Sequence, residues 1–127
     1  RFLMDTNVAI DLMRRSEAVQ GRLHPAATSY LPAVVLGELY FGALRSRQVQ
    51  ANLASIQRLT ATSIVLDITV SIARRYGELR CALLARKGRP IPDNDTWIAG
   101  TALEHGLPVL SADAHFREVD GRTVVAW

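Results

Sequence analysis

Residues 2–13 read FLMDTNVAIDLM: three apolar residues, an acid, two polar residues suited to starting a helix, then apolar side chains at Val8, Ile10, Leu12 and Met13. That order is strand, turn, helix, with Asp5 at the carboxyl end of the strand. The alternation recurs along the chain. Tyr30–Val35 predicts a second strand that flows through Pro32 into a helix reaching about Arg45, and Gln48–Leu59 predicts a further helix. Ser63–Leu66 (SIVL) reads as a strand and Ile68–Arg86 as a long helix. Asn94–His105 reads as a helix closed by Gly106, and Pro108–Leu110 as a strand. Val119–Ala126 holds the last strand, with Asp120-Gly121 a tight turn before TVVA. Short, continuously apolar strands separated by helices predict an α/β protein whose parallel sheet is covered on both faces. In such sheets, sites form beyond the carboxyl ends of the strands.

The 127 residues suit one domain, residues 1–127, and a hydrophobic fraction of 49% can supply a core without staples. No repeat, linker or low-complexity tract interrupts it. The lone cysteine, Cys81, has no internal disulfide partner and reads as packing; no Cys and His pattern has zinc spacing. A reducing compartment follows, and no apolar run approaches the roughly 18 residues of a membrane span. The N-terminus lacks a signal-peptide layout, so a soluble cytoplasmic protein is expected, with no membrane association. The net charge is +3, and Lys87 is the only lysine among the basic residues. Arginine presents a planar fork that suits phosphate, which permits a nucleic-acid partner without deciding for one.

The acids carry more information. Asp5 ends the first strand, and Asp113 lies three residues past Leu110. Either can be a helix cap, with Ser111 able to cap a short helix before Phe116. Glu38 is the only formally charged side chain between Arg22 and Arg45, set among Val34, Val35, Leu36, Leu39, Tyr40, Phe41 and Leu44. A helix apolar on nearly every side is expected to be mostly buried, and a buried carboxylate needs a partner or a metal. The competing reading puts Glu38 on a narrow solvent-facing stripe. In Arg89–Ala102, RPIPDNDTWIAGTA, a Pro-bearing loop turns into an apolar helix. There Asp93 or Asn94 can accept free helix-start N–H groups, and Asp95 sits in the first turn. Capping and favourable charge at a helix start explain Asp93 and Asp95 singly. Four acids at strand ends or in an apolar helix exceed what capping requires.

Carboxylates brought together repel one another unless a cation joins them. Oxygen ligands suit magnesium or manganese, which polarise a phosphodiester and activate water. His24, His105 and His115 show no paired spacing and read as surface or structural, with His115 a substrate contact near Asp113 as the other option.

Four blocks in order, MDTNVAIDL, VVLGELYFGA, IPDNDTWIAGTAL and LSADAHF, resemble the signature blocks of the PIN-domain family, in particular its VapC-type toxin ribonucleases. The similarity spans Phe2 to about Phe116. It implies a three-layer α/β/α sandwich around a parallel sheet of about five strands, and an endoribonuclease dependent on magnesium or manganese. By motif, Asp5, Glu38, Asp95 and Asp113 match the family's catalytic, metal-binding acids. Asp93 matches an auxiliary acid of some members, expected either to act indirectly at the metal or to cap the helix. Asn7 and Ser111 fall in the same blocks, where they could position water or a carboxylate. The resemblance further implies an RNA substrate, a cognate antitoxin and a homodimer. The run Arg74, Arg75, Arg80, Arg86, Lys87, Arg89 is either a solvated helix face or a place for RNA phosphates.

Rival readings are separable. A non-catalytic PIN-fold scaffold that binds RNA or protein need not bind magnesium. A Toprim-like site requires a Glu after the first strand, where this chain has Asp5. A haloacid-dehalogenase phosphatase needs a second Asp where Asn7 stands.

Overall fold

The computed structural model describes residues 1–14, 21, 23–85, 91–112 and 124–126. Among them the elements run β1 (Phe2–Met4), α1 (Thr6–Met13), β2 (Ser29–Pro32), α2 (Ala33–Leu44), α3 (Val49–Thr62) and β3 (Ile64–Leu66). They continue as α4 (Val70–Leu84), α5 (Asp93–His105), β4 (Val109–Ser111) and β5 (Val124–Ala126).

The five strands form one sheet in the order β3-β2-β1-β4-β5, parallel throughout. β1 is the middle strand, with Leu3 opposite both Tyr30 on β2 and Val109 on β4. Its three residues are buried, which is why it reads as an unbroken apolar run. Connections from β1 to β3 step one way across the sheet, and the connection from β3 to β4 steps back past β1. Right-handed crossovers then place α1, α2 and α3 on one face and α4 with α5 on the other. Accordingly α1, α2 and α3 pack on one another, while α4 and α5 pack as a pair. The core between the layers holds Leu3, Met4, Val8, Leu31, Val35, Ile56, Ile98 and Val109.

Boundaries differ from the sequence reading for local reasons. β2 stops at Pro32 instead of running to Val35, because proline has no N–H for the ladder and its φ of −65° suits entry into α2. α4 starts at Val70, since Thr69 Oγ1 accepts from Ile72 N–H at 3.2 Å and caps it there. The Asp120-Gly121 turn lies outside the described residues, as do Arg86, Lys87, Arg89 and His115.

Two expectations are corrected. α2 is not mostly buried: Val35, Leu39 and Ala43 face the core, but Phe41 is 62% and Leu44 61% exposed. Cys81 is exposed and not packing. No described helix is long and apolar enough to cross a membrane.

Candidate active site at the carboxyl ends of the strands

The strand order reverses between β1 and β4, and a crevice opens beyond such a point. Asp5 stands there. It leaves β1 in extended backbone and caps α1, and its side chain is only 5% exposed. Oδ1 accepts from Thr6 N–H at 2.6 Å, and Oδ2 accepts from Ser111 Oγ at 2.6 Å. Ser111 ends β4, so neighbouring strand ends hold one buried carboxylate between them. Asp5 is therefore both a cap and an oriented acid.

Glu38 reaches the same place from α2. It is half-buried, and the side chains of Thr6 and Asn94 hydrogen-bond to it. Burial pushes its carboxyl above the ordinary 4.5, and the like charges of Asp5 and Asp95 push the same way. The bonds from Thr6 and Asn94 pull it back without cancelling the rise. The solvent-stripe reading thus gives way to a carboxylate that shares a site with two others.

The first turn of α5 supplies Asn94, which hydrogen-bonds Glu38, and Asp95, whose charge acts on it, and the positive helix end there favours acids. Asp93 does not take the capping role expected of it. α5 begins at Asp93 with Pro92 as its N-cap and no side-chain cap bond, so Asp93 is not the cap. Its Oδ1 accepts from Tyr76 OH at 3.0 Å and faces Arg80 Nε at 3.4 Å, so it is turned towards α4. The physical reason is helical geometry: two residues along a helix rotate a side chain by about 200°, so Asp93 and Asp95 cannot face the same way.

Asp113 lies outside the described residues, two positions after Ser111 in sequence. Asn7 is exposed on the first turn of α1, and it is Thr6 that bonds Glu38. Thr6 and Asn94 were read from sequence only as helix-start residues. The available signal was their position inside two acid-bearing blocks, each able to donate a hydrogen bond to a neighbouring carboxylate. Within the basic run, Arg74 pairs with Glu78, Arg75 with Glu104 and Arg80 with Asp93. The three described arginines are thus matched by acids, which weakens the phosphate-binding reading. Glu38 also borders an open groove of about 390 Å³ between α1, α2 and α3, with Arg14 and Asn52 in its lining.

Among the described residues, no three Asp, Glu, His or Cys side chains stand close enough to form a ready-made cage for a metal ion. The donor set still fits magnesium or manganese. It is all oxygen, and magnesium takes only one or two carboxylates directly while keeping water.

The sequence pattern of the PIN domain matches residues 2–122. The chain belongs to the PIN-domain family. This PIN domain is 33% identical to the tRNA(fMet)-specific endonuclease VapC of Shigella flexneri, over 100% of this chain and 98% of that protein. It superposes with a TM-score of 0.89 on a chain of DNA-bound VapBC from Salmonella typhimurium, at 30% identity, covering 100% and 98% of the two chains. VapBC2 from Rickettsia felis gives a TM-score of 0.90 at 22% identity, covering 99% and 98%, which is a likeness of fold. The family resemblance and the α/β/α sandwich read from the four blocks both hold.

Proposed function

We propose that this PIN domain is a VapC-type ribonuclease, the toxin half of a toxin–antitoxin pair, which hydrolyses RNA phosphodiester bonds with magnesium or manganese held by Asp5, Glu38, Asp95 and Asp113. The observation that carries the reading is that half-buried Glu38 on α2, hydrogen-bonded by Thr6 and Asn94, feels the like charges of Asp5 and Asp95 from two other elements, beside the point where the strand order reverses. A capping role would need no such arrangement. Similarity along the whole chain, at 33% identity, to a protein named as an endonuclease supports the same class.

A divalent ion bound there supplies Lewis acidity and a water of lowered pKa. The chain's own residues supply orientation. Ser111 and the Thr6 amide hold the Asp5 carboxylate from both oxygens, so it needs no reorganisation to act as a ligand. Thr6 and Asn94 hold Glu38 in the same way from two helices. Asp113, placed in sequence just beyond β4, completes the acid set. The groove beside Glu38, with the exposed Arg14, is the proposed path for the RNA strand. The antitoxin and a second copy of the chain are the proposed protein partners, and the exposed Phe41 and Leu44 on α2 offer apolar surface to such contacts.

Purified protein is expected to cleave RNA with magnesium or manganese and to stop with chelator. Asp5→Asn and Asp95→Asn should each lower kcat by about 10² or more. Cleavage that survives both substitutions would remove the assignment. An intact fold that binds neither metal by calorimetry would leave the scaffold reading instead.

A further inference from the structure

α4 and α5 run antiparallel and are joined at successive levels. At Gly100 the two helices touch: a Cβ there would stand 3.5 Å from Tyr76 N and 3.6 Å from Ile72 O, in ordinary contact. Beyond it, towards the end of α5, Arg75 Nε pairs with Glu104 at 2.8 Å. Towards the start of α5, the Tyr76 and Trp97 rings stack with centroids 3.9 Å apart and planes 11° apart. At the start itself, Asp93 Oδ1 takes the Tyr76 hydroxyl and faces Arg80 Nε. Arg80 Nη1 also donates to the Ile91 carbonyl at 3.2 Å. Asp93 and Trp97 are four residues apart and share a helix face, so Tyr76 touches α5 twice, through its ring and through its hydroxyl. The next residues of that first turn are Asn94, which bonds Glu38, and Asp95, whose charge acts on it.

The Asp93 side chain is 65% exposed, and an ion pair in that setting contributes little to stability. Its geometry is nevertheless definite, with a hydroxyl donating to one oxygen and a guanidinium beside it. The geometry points to Asp93 as a positioning residue: together with Tyr76 and Arg80 it pins the first turn of α5 to α4 and so sets where Asn94 and Asp95 stand against Glu38. Asp93 does not join the acids it neighbours in sequence. The effect on turnover rests on the ribonuclease reading, whereas the pinning of the helix start does not.

The test compares Asp93→Ala, Asp93→Asn and Tyr76→Phe with Glu78→Gln, an exposed acid on α4 that lies outside this contact. RNA cleavage, melting temperature and amide hydrogen exchange over residues 94–98 are measured on each. Asp93→Ala is expected to lower kcat roughly tenfold with KM and melting temperature near wild type, because a small misplacement of a catalytic group is costly to rate. Exchange over 94–98 should quicken in the same variant. Asp93→Asn keeps an acceptor for Tyr76 and should restore most of the rate. Tyr76→Phe keeps the ring stack, loses the hydroxyl, and should resemble Asp93→Ala. Glu78→Gln should match wild type. Unchanged kcat and unchanged exchange in Asp93→Ala would overturn the proposal, as would a loss that Asp93→Asn does not rescue. If wild-type protein cleaves no RNA with either metal, the ribonuclease reading fails, and exchange over 94–98 alone decides the pinning.

Discussion

Glu38 holds a carboxyl that burial, and then the charges of Asp5 and Asp95, keep above its ordinary 4.5. An acid raised in the folded state favours folding fully below its unfolded value and loses that contribution as pH rises through the folded value. Glu38→Gln should therefore raise the melting temperature of metal-free protein near neutral pH and give no gain below pH 4.5. Thermal melts in chelator at the two pH values check the sign; a lower melting temperature at neutral pH would contradict it. The same substitution should remove RNA cleavage, so stability and activity separate at this residue. Ser111 tests the opposite arrangement, a hydrogen bond to a buried acid. Ser111→Ala leaves Asp5 Oδ2 without that donor and should cost about 1–3 kcal/mol in urea unfolding. A cost near zero would mean that water replaces the hydroxyl freely. Glu38 stood out in sequence as one charge in an apolar stretch, but its partners Thr6 and Asn94 did not, because a hydrogen bond between helices has no local pattern.

α5 is the element on which the site depends most, and its two glycines should respond with opposite sign. Gly100 faces α4, yet a Cβ would meet its neighbours at 3.5–3.6 Å, which is ordinary contact. Gly100→Ala should then gain helix propensity, up to about 1 kcal/mol. Gly106 closes the helix at φ 63°, a conformation that L side chains rarely adopt. Gly106→Ala should lose about 1–2 kcal/mol. Denaturant unfolding of both variants distinguishes them, and a destabilised Gly100→Ala would show that α4 and α5 cannot give at all. The closing glycine was legible in sequence, since it follows the last apolar positions of the helix. The start was legible only to within a residue. Asp93 looked like the cap, but Pro92 takes that position and Asp93 is drawn to Tyr76 and Arg80 on another helix.

For the whole molecule, a metal that binds the folded state and not the unfolded chain must stabilise it by mass action. Manganese at about 100 times its Kd should add about 2.7 kcal/mol to wild-type stability and none to Asp5→Asn. Melting curves against metal concentration measure this without any RNA. A similar shift in both proteins would place the ion elsewhere. The parallel α/β architecture was legible because apolar strands ending in polar helix starts recur along the chain, and because four acid-bearing blocks stood in order. The half-open face of α2 was not legible: its composition is apolar nearly all round, and only the packing of α1 and α3 shows which side is covered.

By itself, the sequence determined the alternation of strands and helices, the place of Asp5 at a strand end and of Asp95 in a first helical turn, and the family to which the chain belongs. These follow from neighbours along the chain, where apolar period and capping residues act over a few positions. Only the tertiary structure decided that Ser111, 106 residues away, holds Asp5, that Glu38 meets Thr6 and Asn94, and that Asp93 turns to α4 while the charge of Asp95 acts on Glu38. Those contacts depend on strand order and on the rotation of each helix about its axis, which are set by burial of the whole core and carry no trace in any single segment.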